Sequence, residues 1–229
     1  MKGWMYFFCL FLSSVTFHGY TQDDEPDATD HFYVSSVTDI NPMHSFTLEI
    51  GMPVVLGNKF NRAYMDGLIN FSPYYQYTFR NNLAIGAGVF YHYIRIKSVA
   101  SYETIFGANN SLGAFFKVSH EKFHSTRFAT DVGVKVGAVQ AMYSSNKLKA
   151  KGENSSNLGL YIEPNIGFIL TAAEKSSFRF VLGYNFLGIP FSNKTIGMDS
   201  DAGMSGKDFR KFQQYLTVGF GYTFYAKTR

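Results

Sequence analysis

The sequence predicts an all-β fold, an eight-stranded antiparallel up-and-down transmembrane β-barrel, and three observations support this prediction. Polar and apolar residues alternate with a period of two, the period of a strand, from His44 almost to the last residue. The connections between these segments are alternately short and long, as in barrels that cross a membrane. Aromatic residues make up 18% of the 229 residues and are accompanied by 21 glycines, a composition typical of strands with two different faces.

Eight segments alternate clearly enough to be predicted as strands. They cover residues 44–52, 67–79, 83–94, 111–119, 126–142, 157–171, 177–187 and 211–225. Most have the ~9–11 residues that a tilted strand needs to cross a bilayer. Because the number of strands is even, both ends of the barrel return to the same side of the membrane, and we expect that side to be the periplasm.

The predicted connections differ in length in a regular way. The short ones cover residues 80–82, 120–125 and 172–176, and the long ones cover 53–66, 95–110, 143–156 and 188–210. Bacterial outer-membrane barrels have short periplasmic turns and longer external loops. We therefore expect the long loops to be extracellular.

The two faces of the predicted strands differ in composition. In the fifth strand, Val132, Val134 and Val136 share one face, and Asp131 and Lys135 share the other. The polar faces are rich in glycine and carry six charged residues, namely Glu49, Lys117, Asp131, Lys135, Glu163 and Arg179. A narrow interior needs small residues, so we predict that the polar face lines the lumen and the apolar face contacts lipid. A soluble lipocalin-like barrel, with the apolar face inside, is the alternative.

Aromatic residues of the apolar faces gather near the predicted strand ends. They are Tyr75, Tyr77, Phe79, Tyr91, Tyr93, Phe178, Phe180, Tyr222 and Phe224. Aromatic girdles of this kind lie at the two membrane interfaces of outer-membrane barrels. The pattern therefore favours the membrane barrel over the soluble one.

The charges predicted for the lumen are balanced, with three carboxylates and three cations. An eight-stranded barrel is only just wide enough for side chains to fill it, and buried charges are costly unless they are paired. We therefore predict a closed, ion-paired lumen, with a narrow pore for small solutes as the alternative.

The first residues have the features of an export signal. Lys2 precedes an apolar stretch over residues 4–12, which is too short to span a membrane as a helix. We expect residues 1–21 to be a cleaved signal peptide and residues 22–43 to be an acidic periplasmic leader. The barrel then covers residues 44–225, and residues 226–229 form a short C-terminal tail.

The closing strand, Leu216-Thr217-Val218-Gly219-Phe220-Gly221-Tyr222-Thr223-Phe224, completes a pattern that resembles a known family. Together with the signal peptide and the repeated amphipathic strands, residues 44–225 resemble the porin-like outer-membrane β-barrel domain family, especially small eight-stranded members common in Bacteroidota. The resemblance implies the outer membrane of a Gram-negative cell and insertion by an assembly machinery that reads the aromatic-ended last strand. This chain continues past Phe224 to Arg229, and the family has no common activity.

One string matches the zinc-protease pattern H-E-x-x-H, namely His120-Glu121-Lys122-Phe123-His124. That chemistry needs both histidines on one face of a helix. The string lies in a predicted turn between two strands, so we predict no metal site there.

A basic segment in the third long connection contains Lys147, Lys149 and Lys151. Clustered lysines attract anionic headgroups, so this loop is a candidate contact for the phosphates of lipopolysaccharide. A mobile, soluble loop with no ligand is the alternative.

A hydrolase would need a serine, a histidine and an acid close together near the membrane boundary. The nearest set is His92 with Ser98 and Glu103, whose spacing matches no established motif. We favour a lumenal His92 that pairs with a neighbouring strand.

Taken together, these features predict a non-enzymatic outer-membrane barrel with a structural, surface-interaction or accessory role. A lipid-modifying hydrolase and a narrow pore are the two alternatives. We predict no catalytic, cofactor-binding or metal-binding residues. The net charge of +4 is too small to indicate nucleic-acid binding.

Overall fold

The computed structural model describes residues 44–57, 59–97, 104–125, 127–173, 175–198 and 212–227. They form a closed barrel in which every strand pairs antiparallel with its neighbours in sequence and the last strand pairs with the first. The predicted eight-stranded up-and-down barrel is therefore confirmed. The predicted signal peptide and acidic leader lie outside the described residues.

The strands alternate in direction around the barrel. They are β1 (His44–Leu56), β2 (Met65–Thr78), β3 (Leu83–Ile96), β4 (Gly107–Phe123), β5 (Phe128–Ser145), β6 (Ser155–Ala173), β7 (Ser176–Leu187) and β8 (Gln213–Lys227). The connections contain helices α1 (Lys59–Tyr64) and α2 (Asn146–Lys151) and a 3-10 helix, Asn193–Ile196. None of the helices in the described residues is long and apolar enough to cross a membrane.

The short and long connections lie at opposite ends of the barrel. We call the end with the short turns and both ends of the barrel chain the turn end, and the other the loop end. At the turn end the backbone closes tightly, with the amide of His124 donating to the carbonyl of Phe128 over 2.9 Å. The predicted order of short and long connections is confirmed.

Strand β4 is longer than predicted at both of its ends. Residues 120–123 were expected in a turn, and that prediction is wrong, because Phe123 is still in register with Ala129 of β5. The histidine, glutamate and lysine at 120–122 look like a solvated turn in sequence. They continue the strand because pairing with β5 extends through them, and their side chains therefore alternate between the outside and the lumen.

The predicted faces are confirmed along the strands. In β5, Val132 and Val136 are exposed on the outside, whereas Asp131 and Lys135 are buried inside. The outer surface is largely apolar, and Phe116 and Leu158 each expose about three quarters of their surface, 75% and 77%. In β5 a single wall therefore separates an apolar exterior from buried charged side chains in the lumen.

Outward aromatic residues contact one another near the turn end. The rings of Tyr77 and Phe79 are 4.9 Å apart, and Tyr222 lies 5.3 Å from Phe178 and 4.6 Å from Phe224. These residues belong to the predicted girdle, and they form part of an aromatic belt around one end of the barrel.

The lumen is filled along its length by two different sets of side chains. Charged side chains occupy the half near the turn end, and aromatic and aliphatic side chains occupy the half near the loop end. Residues 188–198, which follow β7, contribute to this apolar half, because Ile189, Phe191 and Ile196 are buried in the same cluster. Phe191 stacks on Tyr143 with ring centroids 5.8 Å apart.

Candidate functional site

The first centre of the buried charges is Asp131 on β5. Its carboxylate accepts a hydrogen bond of 2.5 Å from the ammonium of Lys117 on β4 and another from the guanidinium of Arg179 on β7. The three side chains have exposed fractions of 0–2%. One carboxylate thus binds two cations inside the barrel.

The second centre is Lys135, also on β5. Its ammonium lies 2.7 Å from a carboxylate oxygen of Glu49 and 2.9 Å from one of Glu163. Lys135 and Glu163 face each other across the β5–β6 pair. The charges are reversed relative to the first centre, since one cation here binds two carboxylates.

Tyr74 connects the two centres. Its hydroxyl donates to Glu49 over 2.9 Å, and it accepts a 3.2 Å hydrogen bond from Lys117. The six predicted lumenal charges are therefore joined in one buried set, which we call the charge network. The predicted ion pairing inside the lumen is confirmed.

Glu121 is a buried carboxylate that the sequence analysis missed. It points into the lumen and accepts a 2.5 Å hydrogen bond from the amide of Gln76. Its second oxygen has no hydrogen-bond partner among the described residues. Among the described residues, the lumen thus holds four carboxylates rather than the three that were predicted. Lys117 and Glu121 are four residues apart on one strand and therefore share a face. This spacing from a predicted lumenal residue could have identified Glu121 as lumenal.

Glycines make room for these long side chains. A Cβ atom added to Gly183 would lie 3.0 Å from the carboxylate carbon of Glu163, and one added to Gly221 would lie 3.1 Å from the Cγ atom of Glu49. Neither position could accept a larger residue without moving a charged partner. This supports the inference that the narrow interior requires the glycines of the polar face.

His92 is lumenal, as predicted, but it does not have the expected partner. It is fully buried, with its ring 4.7 Å from that of Phe90, and neither ring nitrogen is hydrogen-bonded in the described part of the chain. Asn70 and Ser111 face it on the neighbouring strands. Ser98 and Glu103, the other members of the hydrolase candidate, lie outside the described residues.

The structure separates the histidines of the H-E-x-x-H string from its glutamate. His120 and His124 lie on the exposed side of the chain, while Glu121 lies inside the lumen. His124 forms a 2.8 Å hydrogen bond with Thr130. Among the described residues, no group of three or more histidine, cysteine or acidic side chains is placed to hold a metal ion.

The basic segment forms helix α2 instead of an irregular loop. Ser145 caps the helix by accepting a 3.0 Å hydrogen bond from the amide of Leu148, and Gly152 ends it in the left-handed conformation with φ of 69°. The helical period places Lys147 and Lys151 on one face and Lys149 on another. The predicted lysine cluster is therefore divided.

A groove of about 630 Å³ lies beside α2 at the loop end of β3, β4 and β5. We call it the outer groove, and its lining includes Tyr93, Arg95, Phe106, Ala108, Asn146 and Lys149. Phe106 exposes 63% of its surface. Arg95 in the lining pairs with Asp66 over 3.2 Å, and Asp66 also pairs with Lys97 over 2.6 Å. The groove thus combines exposed aromatic surface with two cations.

Comparison with known proteins gives structural neighbours only. No protein-family model matches the chain, and no curated protein sequence matches it significantly. Neisserial surface protein A is 11% identical with a TM-score of 0.49, over 80% of this chain and 96% of its own. Ail, the attachment invasion locus protein of Yersinia pestis, is 12% identical with a TM-score of 0.44, over 79% and 97%. OprG from Pseudomonas aeruginosa is 14% identical with a TM-score of 0.47, over 83% and 100%. The fold assignment rests on the strand pairing of this chain itself.

Proposed function

We propose that this chain is a non-enzymatic outer-membrane β-barrel protein of a Gram-negative bacterium with a structural, surface-interaction or accessory role. The observation that carries the proposal is a closed barrel whose outer surface is apolar and whose interior holds a buried charge network. So large an exposed apolar surface is unfavourable in water. In a bilayer it is favourable, and the closed ladder also satisfies most of the strand backbone groups, which hydrocarbon cannot solvate.

The proposed orientation follows from the connections. The loop end faces the cell exterior and the turn end faces the periplasm, since barrels of this class have short periplasmic turns. The chain reaches the periplasm through its signal peptide, and the assembly machinery recognises the last strand, in which Phe220, Tyr222 and Phe224 lie on the apolar face.

Electrophoretic mobility tests the membrane barrel. A closed ladder without a free edge resists unfolding in detergent, so the unheated protein is expected to migrate differently from the boiled protein. The same mobility before and after boiling, under mild conditions that preserve barrels, would count against the architecture. Flotation with phospholipid vesicles provides an independent measurement of membrane insertion.

The lumen is proposed to be closed to ions. The charge network fills one half, with Lys117 and Lys135 only 1% exposed, and the apolar cluster fills the other. In planar bilayers we expect no steady conductance from the purified protein. Steady ion flow would instead favour the alternative function, a narrow pore for small solutes.

The surface-interaction role is proposed for the outer groove, which we infer contacts the phosphates of lipopolysaccharide. Arg95 and Lys149 supply the positive charge, and guanidinium groups bind phosphate with two parallel hydrogen bonds. Tyr93 and Phe106 add a surface suited to the interface between headgroups and acyl chains. Lys147 and Lys151 lie on the same helix and add to the local positive charge.

Binding to purified lipopolysaccharide tests this proposal. The double variant Arg95→Gln, Lys149→Gln is expected to bind several-fold more weakly, and the loss should shrink at high salt because the interaction is electrostatic. The matched control is Lys122→Gln, which removes an exposed lysine near the turn end. An equal loss in the control would overturn the assignment to the groove. Mass spectrometry of the incubated lipid tests the hydrolase alternative, for which a changed acyl pattern is required.

A further inference from the structure

Two prolines interrupt the hydrogen-bonded ladder of the barrel. Pro73 lies in β2 and Pro164 in β6, and both side chains are on the outer face. Strands β2 and β6 are four apart in a closed ring of eight, so the two prolines lie on opposite sides of the barrel. Proline has no amide hydrogen and is therefore unusual inside a strand that is paired on both sides.

Each proline opens one ladder and leaves the other intact. Between β6 and β7, pairing stops after Ile162↔Phe186 and resumes at Asn165↔Gly183 in the same register. On the opposite side, Pro164 remains paired with Val134 of β5. In this antiparallel register, the amide hydrogen missing at Pro164 is the ladder donor to the carbonyl of Tyr184. The gap is thus the loss of one ladder hydrogen bond rather than a bulge.

The β2–β3 gap has the same origin. Pairing stops after Phe71↔Tyr91 and resumes at Tyr74↔Gly88, again without a shift of register. The lumen behind this gap is filled by aromatic side chains, since Tyr74 and Phe90 are each only 1% exposed. The Pro73 gap is therefore closed from the inside.

The Pro164 gap is bordered by small residues and carries a groove on the outer surface. The groove has a volume of about 350 Å³ and is wide open to the outside. We call it the seam groove, and its lining includes Val132, Pro164, Ile166, Leu182, Tyr184 and Leu216. Gly133 and Gly183 contribute to its floor, and Asn165, which points inward, also lines it.

We propose that the seam groove binds a single acyl chain of a membrane lipid from the side of the barrel. This inference rests on the proposed membrane location. The groove is continuous with the apolar outer surface, and its side chains are apolar apart from the hydroxyl of Tyr184 and the amide of Asn165. An apolar, shallow groove in contact with bilayer hydrocarbon matches an acyl chain in polarity.

Photocrosslinking tests the inference. The purified full-length protein is inserted into phosphatidylcholine vesicles that contain a phospholipid with a diazirine in the middle of its acyl chain, and the crosslinks are mapped by mass spectrometry. We expect crosslinks at residues 164–166 and 182–184 to exceed several-fold those at the β2–β3 gap. Equal labelling of the two gaps would overturn the proposal.

Paired proline variants test whether the ladder gap creates the site. Pro164→Val restores an amide hydrogen and keeps an apolar outward side chain, so the ladder should close and the local crosslinking should fall several-fold. Pro73→Val makes the same change at the other gap and should leave crosslinking at the seam groove unchanged. Amide hydrogen exchange in residues 162–166 should slow in Pro164→Val, which verifies that the ladder has closed. Undiminished crosslinking in a closed ladder would contradict the proposal.

Labelling elsewhere on the outer surface distinguishes an error in the membrane location from an error in the seam groove. If the membrane location is wrong, apolar outer residues far from the groove, such as Phe116 and Phe220, will not be labelled either. If only the seam groove is wrong, these residues will be labelled and the groove will show no excess. Unheated gel mobility of each variant confirms that the barrel has formed.

Discussion

In the half of the lumen near the turn end, long charged side chains fill the space, whereas aromatic and aliphatic side chains fill the half near the loop end. Both halves are well buried, and the same eight strands surround them. In the charged half, Asp131 binds two cations and Lys135 binds two carboxylates. In the apolar half, rings stack directly, as for Phe90 and Tyr161 at 4.0 Å.

The two halves should differ in how substitutions change the free energy of unfolding. A buried ion pair contributes little net stability when complete, because desolvation offsets the attraction, but the loss of one partner leaves a charge buried without compensation. An apolar cluster has no such requirement, and a truncated side chain costs the lost transfer energy plus a cavity. The charged half should therefore be sensitive to the identity of its residues, and the apolar half to their size.

The largest expected effect comes from Asp131→Ala. It leaves Lys117 and Arg179 buried without their shared carboxylate, and should reduce the free energy of unfolding by ~3–5 kcal/mol. Urea unfolding in vesicles measures this. The double variant Asp131→Ala, Lys117→Met should lose less than the sum of the two single variants, since it removes one of the uncompensated charges. Simple additivity would show that the two residues do not act as a pair.

In the apolar half, Ile94→Ala should reduce the free energy of unfolding by ~2–5 kcal/mol, and Ile94→Val should reduce it by only ~0.5–1.5 kcal/mol. Ile94 is fully buried in the cluster near the loop end. The graded loss follows the volume removed, and unfolding of both variants under identical conditions measures it. If the two substitutions cost the same, volume is not what this half of the lumen requires.

An arginine introduced on the outer face tests whether the apolar exterior, unlike the apolar lumen, contacts a bilayer. Val134→Arg places a cation on the outer face near the middle of β5, where a bilayer would impose ~2–4 kcal/mol. The matched variant Val54→Arg lies on the outer face near the loop end of β1, where the cost should be ~0–1 kcal/mol. Equal costs at the two depths would mean that the outer wall does not contact a bilayer as proposed.

The period-two alternation made the strands and their faces predictable from sequence. Alternation is a local property, so it identified all eight strands and six of the inward charges without any knowledge of the tertiary structure. The ion pairing could be predicted because charges inside so narrow a barrel have few alternatives to pairing.

The remaining features depend on contacts that a local pattern does not contain. Glu121 was missed because three polar residues in a row resemble a turn, although pairing with β5 continues through them. Residues 188–198 were expected only as a loop, yet Ile189 and Phe191 are buried against the apolar cluster. The partner strands supply these contacts, so the sequence alone could not locate them.

The smallest expected effect is that of Asp66→Asn, at the loop end and outside the lumen. The same substitution at Asp131, inside the lumen, should be severe. Asp66 resembles Asp131 because it too binds two cations, Arg95 and Lys97. Its side chain is 35% exposed, and those of its partners are 57% and 39% exposed.

Water and salt screen such pairs, so the variant should lose only ~0–1 kcal/mol. The loss should decrease further at high salt, where the Debye length is shorter. Urea unfolding of Asp66→Asn and Asp131→Asn at low and high salt measures the contrast. A loss at Asp66 as large as that at Asp131 would show that burial does not distinguish the two carboxylates.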